Sequence, residues 1–441
     1  MKWGVNNLSK VAFYTLGCKV NHYESEAMMD QFKQSGYEIV DFDKKADIYI
    51  IHSCTVTNQA ASKSRKYARR AKRRNPHSIV VMVGCYPQVF PAEVEDVEEV
   101  DYILVTEGKS NIVNLIENKD EDNYLQSIKK RSQFSNYEDI RVYELRETTR
   151  ANIKIQEGCN QFCSYCIIPY ARGPLRSRSE GSIINEVREL AAANIREIVL
   201  TGIHLGGYGT DLNNDQSLDR LIDKLLDLDY NFRIRLSSIE VTEITDRLIE
   251  LMAGEERLCS HLHIPLQSGS DKILEDMNRP YNVDEFNTIV KNIRNKVADI
   301  GISTDVIVGF PGESDSGFED SYQLIEKLEF SRLHVFPYSR REGTAAAKMK
   351  DQVHGNKKKK RSKRLRDLNK RLMLDFQKKF INSEREVIIE EKRDYNTNML
   401  TGYTDNYIRV LVDDSDKYMT QKLPVKLNKS YNYESMIGEI V

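Results

Sequence analysis

Six cysteines arranged as two triplets constrain this chain more than any other feature. Cys159, Cys163 and Cys166 stand in the segment GCNQFCSYC, a C-x3-C-x2-C spacing directly after the alternating run Asn152-Ile153-Lys154-Ile155-Gln156. Three thiolates so spaced wrap one corner of an iron–sulfur cubane and ligate three of its four irons. No fourth cysteine stands nearby, so one iron is left open to a small molecule. Zinc is a poorer match, because a structural zinc asks for four ligands, usually as paired C-x2-C or C/H sets. Ordinary buried thiols are the bland alternative, but packing cysteines rarely cluster this tightly.

Ahead of that loop, short apolar runs alternate with helical stretches. Val11-Ala12-Phe13-Tyr14, Ile48-Tyr49-Ile50-Ile51, Ile79-Val80-Val81-Met82-Val83 and Tyr102-Ile103-Leu104-Val105 are continuous and β-rich, the pattern of parallel strands buried on both faces. Helices are predicted over 24–34, ended by Gly36, and over 59–74, ended by Asn75-Pro76. This alternation predicts a small doubly wound α/β domain over residues 9–115. Cys18, Cys54 and Cys85 each follow one of its first three strands. The carboxyl ends of parallel strands share one edge, where ligands bind, so three cysteines distant in sequence converge there. They suit a second cubane with one unclaimed iron, and Gly17 and Gly84 let the backbone approach it. Cysteine simply packing at strand ends is the competing explanation; three coincidences in three strands weigh against it.

Residues 116–144 are polar and aperiodic and read as a linker. Over 145–375 the rhythm resumes, with strands predicted at 152–156, 197–200, 233–236, 261–266, 303–308 and 333–336. Six β/α units curl into most of a barrel, a partial (β/α)6 barrel whose active face lies at the strand carboxyl ends. The cubane loop follows the first strand, and small or polar residues collect after the others. An open-iron cubane beside such a pocket is the arrangement that reductively cleaves S-adenosylmethionine, so Gly202, Ser238 and Gln267 are candidate contacts to that cofactor. Residues 376–441 break into five short β-rich pieces, which predicts a small β-barrel like the OB and related RNA-binding modules. A structural cap without a ligand is the alternative. Cys259 lies outside both triplets and reads as a packing residue.

A formal net charge of −2 conceals polarised segments. KSRKYARRAKRR (63–74) and KKKKRSKRLRDLNKR (357–371) are basic, while acid gathers in runs such as PAEVEDVEEVD. Basic runs on a near-neutral chain are footprints for a polyanion; a solvated helix face is the ordinary alternative. Two runs beside candidate chemical sites point to RNA, with Lys63, Arg65, Lys66, Arg69, Arg70 and Arg73 as candidate phosphate contacts. The first residues lack the apolar core of a secretory signal, and no apolar run approaches the ~18 residues of a membrane span. The expected setting is the cytoplasm, with no membrane partner, where thiols stay reduced and available to metal.

These motifs carry a resemblance along nearly the whole chain. GCKVNHYESE with Cys18, HSCTVTNQA with Cys54 and GCYPQ with Cys85 resemble the amino-terminal domain of the methylthiotransferases. IQEGCNQFCSYCIIPYARGPLRSR resembles their radical-SAM core, and the closing segment resembles a TRAM domain. TLGCKVNHYESEA with CTVTNQA is most similar to the tRNA threonylcarbamoyladenosine branch. The resemblance implies two 4Fe-4S clusters and S-adenosylmethionine, with Tyr165 near the cofactor's adenine. Cys159, Cys163 and Cys166 then bear the cluster that cleaves S-adenosylmethionine to a 5′-deoxyadenosyl radical, which takes hydrogen from carbon 2 of an adenine ring. The cluster on Cys18, Cys54 and Cys85 presents the sulfur, methylated by a second S-adenosylmethionine. The implied partners are a tRNA anticodon stem-loop, an electron donor and a sulfur donor. Rival readings are a sibling enzyme acting on isopentenyl-adenosine tRNA or a ribosomal-protein aspartate, a non-catalytic iron–sulfur RNA-binding protein, and a zinc-dependent RNA module.

Overall fold

The structure is a computed structural model that describes residues 9–117, 133, 134, 136–142, 149–212 and 215–441. The described residues fall into two compact units. The first draws on Met1–Glu144, Gln156–Arg178 and Ser339–Ala347, the second on Leu145–Ile155, Ser179–Tyr338 and Lys348–Val441.

The first unit is built on a parallel sheet of β1 (Lys10–Thr15), β2 (Glu38–Val40), β3 (Ile48–Ser53), β4 (Ile79–Gly84) and β5 (Tyr102–Leu104), in the order β2-β1-β3-β4-β5. Every residue of β3 is buried. Ile48 and Ile50 pack on one face with Met28 and Phe32, whereas Tyr49 and Ile51 pack on the other with Ala61, Ala68 and Ala71. The helix Lys19–Gln34 thus covers one face and the helix Asn58–Arg74 the other, the doubly wound arrangement. Each isoleucine side chain so buried contributes roughly 1.5–3 kcal/mol. The Asn58–Arg74 helix is capped by Thr57, whose side chain accepts from the Ala60 amide at 3.2 Å, and it stops at Asn75, held extended ahead of Pro76. The first helix starts at Lys19, five residues before the predicted 24. Its N-cap position is Cys18, whose side chain makes no capping hydrogen bond, so no start signal was there to read. The edge strand β2 was also missed, being three residues long and half exposed.

Most of the expected linker lies outside the described residues. Its described part includes Ile140, whose carbonyl accepts from the Tyr23 hydroxyl at 2.8 Å. After β6 (Arg150–Lys154), which belongs to the second unit, the chain returns to the first. There β7 (Gln156–Glu157) pairs antiparallel with β8 (Arg176–Ser177), bracketing the cysteine loop and the short helix Ile168–Arg172.

In the second unit β6 pairs with β9 (Glu197–Thr201) and β9 with β10 (Arg233–Leu236); β11 (His261–His263), β12 (Gly301–Val308) and β13 (Arg332–Pro337) form a matching trio. All pairs are parallel, and a parallel bridge between Ser238 and His263 joins the trios into six strands in chain order. This is the predicted partial barrel. Ile153, Ile198, Ile234, Leu262, Ile302 and Leu333 face the surrounding helices in the main core. The alternating residues, among them Arg150, Glu197, Arg233, His263, Asp305 and His334, therefore face the concave side. The chain ends in a closed barrel of β14 (Glu384–Arg393), β15 (Leu400–Thr404), β16 (Arg409–Val412), β17 (Lys422–Asn432) and β18 (Ser435–Ile440), in the order β14-β15-β16-β18-β17. Closure removes the unpaired edges that five short strands would otherwise expose.

Candidate metal centres

Cys18, Cys54 and Cys85 leave the sheet at the carboxyl ends of β1, β3 and β4, which are adjacent in the strand order. The register aligns Thr15 with His52 and Ser53 with Gly84, so the three thiols emerge along one edge. Their exposure grades from Cys18, exposed, through Cys54 to Cys85, buried, and none of the seven cysteines is in a disulfide. Burial pushes the Cys54 thiol up to about 12, and the neighbouring Cys85 and Cys18 add to the shift. The glycine beside each outer thiol has the backbone that the close approach requires: Gly17 has φ +115° and Gly84 φ +108°. A Cβ at Gly17 would lie 2.8 Å from the Asn21 side chain and 3.2 Å from Cys54 Cβ; at Gly84 it would lie 2.9 Å from Ser53 O. Among the described residues no group of three His, Cys, Asp or Glu side chains closes on a single metal ion. A cubane, whose ligands bind separate irons, spaces its thiols more widely than one ion does.

Beneath Cys85 lies a buried polar floor that the sequence did not reveal. Arg172 is fully buried. Its Nη1 donates to Glu24 Oε1 at 2.7 Å and Glu157 Oε1 at 2.6 Å, its Nη2 to Asn21 Oδ1 at 2.5 Å, and its Nε to Cys85 Sγ at 3.1 Å. Burial works against the guanidinium, but Cys85, Glu24 and Glu157 outweigh it and hold the charge firmly. Lys109 Nζ sits 3.3 Å from Glu24 Oε2, and Arg176 Nη2 3.8 Å from Glu157 Oε2. His52 shares the floor through a 2.8 Å hydrogen bond between Nδ1 and Ser25 Oγ, and burial lowers its pKa to about 3, so it is neutral. Arg341, 5% exposed, donates from Nη2 to Thr55 Oγ1 at 2.9 Å and stacks over Phe90. An arginine directly after an apolar run, as in IIPYAR, was the available signal for Arg172.

The Cys159–Cys166 loop is pinned in the same unit. The Cys159 amide donates to Gly173 O at 3.1 Å, Cys166 N to Cys163 O at 2.9 Å, and Ala346 N to Ser164 O at 2.8 Å. Gly158 (φ +73°) is indispensable to it, since a Cβ there would fall 1.8 Å from Pro174 O. Cys163 is buried, Cys159, Tyr165 and Cys166 half-buried, and Phe162 is exposed with φ 48°.

In the second unit Gly202, Ser238 and Gln267 follow β9, β10 and β11 on the strand carboxyl side. Gly202 is half-buried and Ser238 exposed; Gln267 is buried, with φ 62°, and bridges to Val306 of β12. The concave face carries more chemistry than the sequence disclosed. His263 Nε2 lies 3.1 Å from Asp305 Oδ1 and Ser303 Oγ 3.0 Å from His263 Nδ1, while His204, after the end of β9, pairs with Glu243. At the other strand ends Glu197 gathers Arg150, Arg233 and Arg235 at 2.7, 2.7 and 2.8 Å. Tyr407 of the terminal barrel stacks there on His261, with Arg235 4.5 Å over its ring, and Tyr403 O accepts from Arg233 Nη2.

The six expected phosphate contacts divide. Arg65 pairs with Glu93, Arg69 with Glu99 and Arg70 with Asp43, at 3.2, 3.7 and 2.6 Å. Lys63, Lys66 and Arg73 are exposed, with no ion pair among the described residues, and their spacing puts them on one face of the helix. The second basic run is partly neutralised: Lys357 and Arg361 bind Asp315, Arg364 binds Glu319 and Arg371 binds Glu326. Among the described residues no helix is long and apolar enough to cross a membrane.

Residues 10–105 match the uncharacterized protein family UPF0004, and residues 153–325 match the radical SAM superfamily. A threonylcarbamoyladenosine tRNA methylthiotransferase of Bacillus subtilis is 42% identical over 427 residues, spanning 96% of this chain and 94% of the relative. Its counterpart from Aquifex aeolicus is 37% identical over 406 residues, covering 91% and 96%. A tRNA-2-methylthio-N(6)-dimethylallyladenosine synthase of Geobacillus kaustophilus is 33% identical over 446 residues, covering 99% and 83%. Among solved structures, the radical S-adenosylmethionine methyltransferase TsrM of Kitasatospora setae superposes with a TM-score of 0.59 at 14% identity, over 77% of this chain and 76% of that one. That likeness speaks for the fold alone.

Proposed function

Because this chain belongs to the tRNA methylthiotransferases of the radical SAM superfamily, we propose that it adds a methylthio group to carbon 2 of N6-threonylcarbamoyladenosine beside a tRNA anticodon. Membership in the superfamily implies S-adenosylmethionine and one 4Fe-4S cluster. Cys159, Cys163 and Cys166 would hold that cluster, and Cys18, Cys54 and Cys85 a second. The observation that carries this reading is the second triplet, three thiols delivered by three adjacent strands to one sheet edge. The donor set fits an anionic cubane: Gly17 and Gly84, at positive φ, let the backbone pack tightly against Cys54 and Ser53 at the strand ends, and Arg172 meets the innermost sulfur. When bound, the clusters supply the electron that cleaves the cofactor and the sulfur that is transferred, which no side chain here can provide.

The protein's own contribution is position and charge. In the second unit Gly202, Ser238 and Gln267 are the residues proposed to contact S-adenosylmethionine. Lys63, Lys66 and Arg73 form the face offered to loop phosphates, and the target base must leave its stack to react at carbon 2. An electron donor and a sulfur donor of the cytoplasm complete the set of partners.

The test is nucleoside mass spectrometry of tRNA from a strain lacking the gene. The 2-methylthio derivative of threonylcarbamoyladenosine should vanish and return on complementation. Loss of the dimethylallyl derivative instead would assign the enzyme to the sibling branch. Failure to form 5′-deoxyadenosine from S-adenosylmethionine and reductant without oxygen would remove the catalytic reading altogether.

A further inference from the structure

We propose that Arg172 is a positioning residue that sets the reduction potential of the cluster held by Cys18, Cys54 and Cys85, through its Nε–H hydrogen bond to the Cys85 sulfur. The inference rests on the assignment of those three cysteines as cluster ligands.

A guanidinium withdrawn wholly from water costs several kcal/mol unless its donors are met by charged partners. Glu24, Glu157 and Asn21 meet the two terminal nitrogens, which would suffice for a purely structural clamp. The remaining donor, Nε, is spent on sulfur at 3.1 Å. A hydrogen bond to a ligating sulfur draws electron density away from iron and favours the reduced cluster, one of the levers by which proteins spread cubane potentials. Charge balance points the same way. Among the described residues the floor's ion pairs set Lys109, Arg172 and Arg176 against Glu24 and Glu157, three cations to two carboxylates. A cubane carrying three thiolates is anionic and closes that balance. Lysine could not substitute, because a single ammonium cannot reach two carboxylates, an amide oxygen and a sulfur at once. The placement in sequence adds a second consequence: Arg172 lies six residues beyond Cys166, so one short helix ties the loop of the first triplet to a ligand of the second.

The experiment uses the full chain with Cys159, Cys163 and Cys166 changed to alanine, so that only the strand-end cluster contributes signals. In that background, iron content and EPR-monitored redox titration are compared for Arg172, Arg172→Lys and Arg172→Gln. The expected result is about four irons per chain throughout, with the midpoint potential shifted downward in Arg172→Gln and part of the way in Arg172→Lys. A second measurement needs no change at Arg172: the background chain labelled with nitrogen-15 arginine should show nitrogen hyperfine coupling to the reduced cluster in pulsed EPR. Should Arg172→Gln fail to fold, that coupling decides alone, and its absence overturns the proposal. Unchanged potentials with iron retained also overturn it and leave the cysteine assignment standing. A background chain without iron sinks the cysteine assignment, and the role of Arg172 with it.

Discussion

Glu197 bears three guanidiniums on two carboxylate oxygens and is fully buried. Burial alone would raise its pKa, but Arg235, Arg233 and Arg150 outweigh it and hold the carboxyl well below the usual range. The unfolded chain binds this proton at an ordinary carboxylate pKa of ~4.3 and the folded chain resists it. The stabilisation is therefore complete above that value and is lost as pH falls toward the folded pKa. Replacing Glu197 by Gln strands two buried cations, Arg233 and Arg235, and should cost about 3–5 kcal/mol in urea unfolding near neutral pH. It should also flatten the fall in stability below pH ~4. At this scale the sequence was only partly legible. The six cysteines announced themselves by spacing, but EIVLT and RIRL read only as strands. Nothing short of the barrel's curvature says that Glu197, Arg233 and Arg235 point inward and meet. Cys259, read as a packing residue, is indeed buried, and burial pushes its thiol up to about 11.

Among elements, the terminal barrel packs its loop onto the amino-terminal strand ends of the partial barrel. Tyr407, with φ 71°, and Tyr403 present their rings to Arg150, Arg235 and His261. Tyr407→Ala should lower unfolding stability by roughly 2 kcal/mol, the worth of one stacked ring with its cation–π partners. Hydrogen exchange in β15 and β16 should rise with it. The helix Asn58–Arg74 supports a separate expectation. Changing Lys63, Lys66 and Arg73 to alanine together should reduce the slope of log affinity for tRNA against log salt by about 2–3, as three lost phosphate contacts would. The same change at Arg65, Arg69 and Arg70 should move it less, since their charges are already met by Glu93, Glu99 and Asp43. The basic run itself was plain in the sequence. Which of its cations are neutralised was not, because Asp43 and Glu99 come from loops distant along the chain. Strands were legible for a related reason: β3 and the five pieces of the tail follow period and composition, whereas β2, short and polar, carries little of either signal.

For the whole molecule, protein reconstituted without oxygen should carry about eight irons per chain. Replacing either cysteine triplet with alanine should halve that number, replacing both should abolish it, and Cys259→Ala should leave it unchanged; metal analysis reads all four. Zinc in place of iron would overturn the two-cluster account. The order of segments, doubly wound sheet, partial barrel and closed terminal barrel, could be read from the alternation of strand and helix patterns. The grouping of segments could not. The first compact unit takes residues 156–178 and 339–347 from inside the stretch assigned to the barrel, because hydrogen bonds and buried charge, invisible to periodicity, decide where those segments pack.

That interleaving bears on how the gene can be divided. A fragment ending near residue 144 would look like a natural excision, holding one sheet and three of the thiols. It would be born without Arg172 and Arg341, leaving the acid at position 24 to face a single ammonium in a dry interior. Expressed alone it should be insoluble, and supplying the remainder of the chain in trans should rescue it.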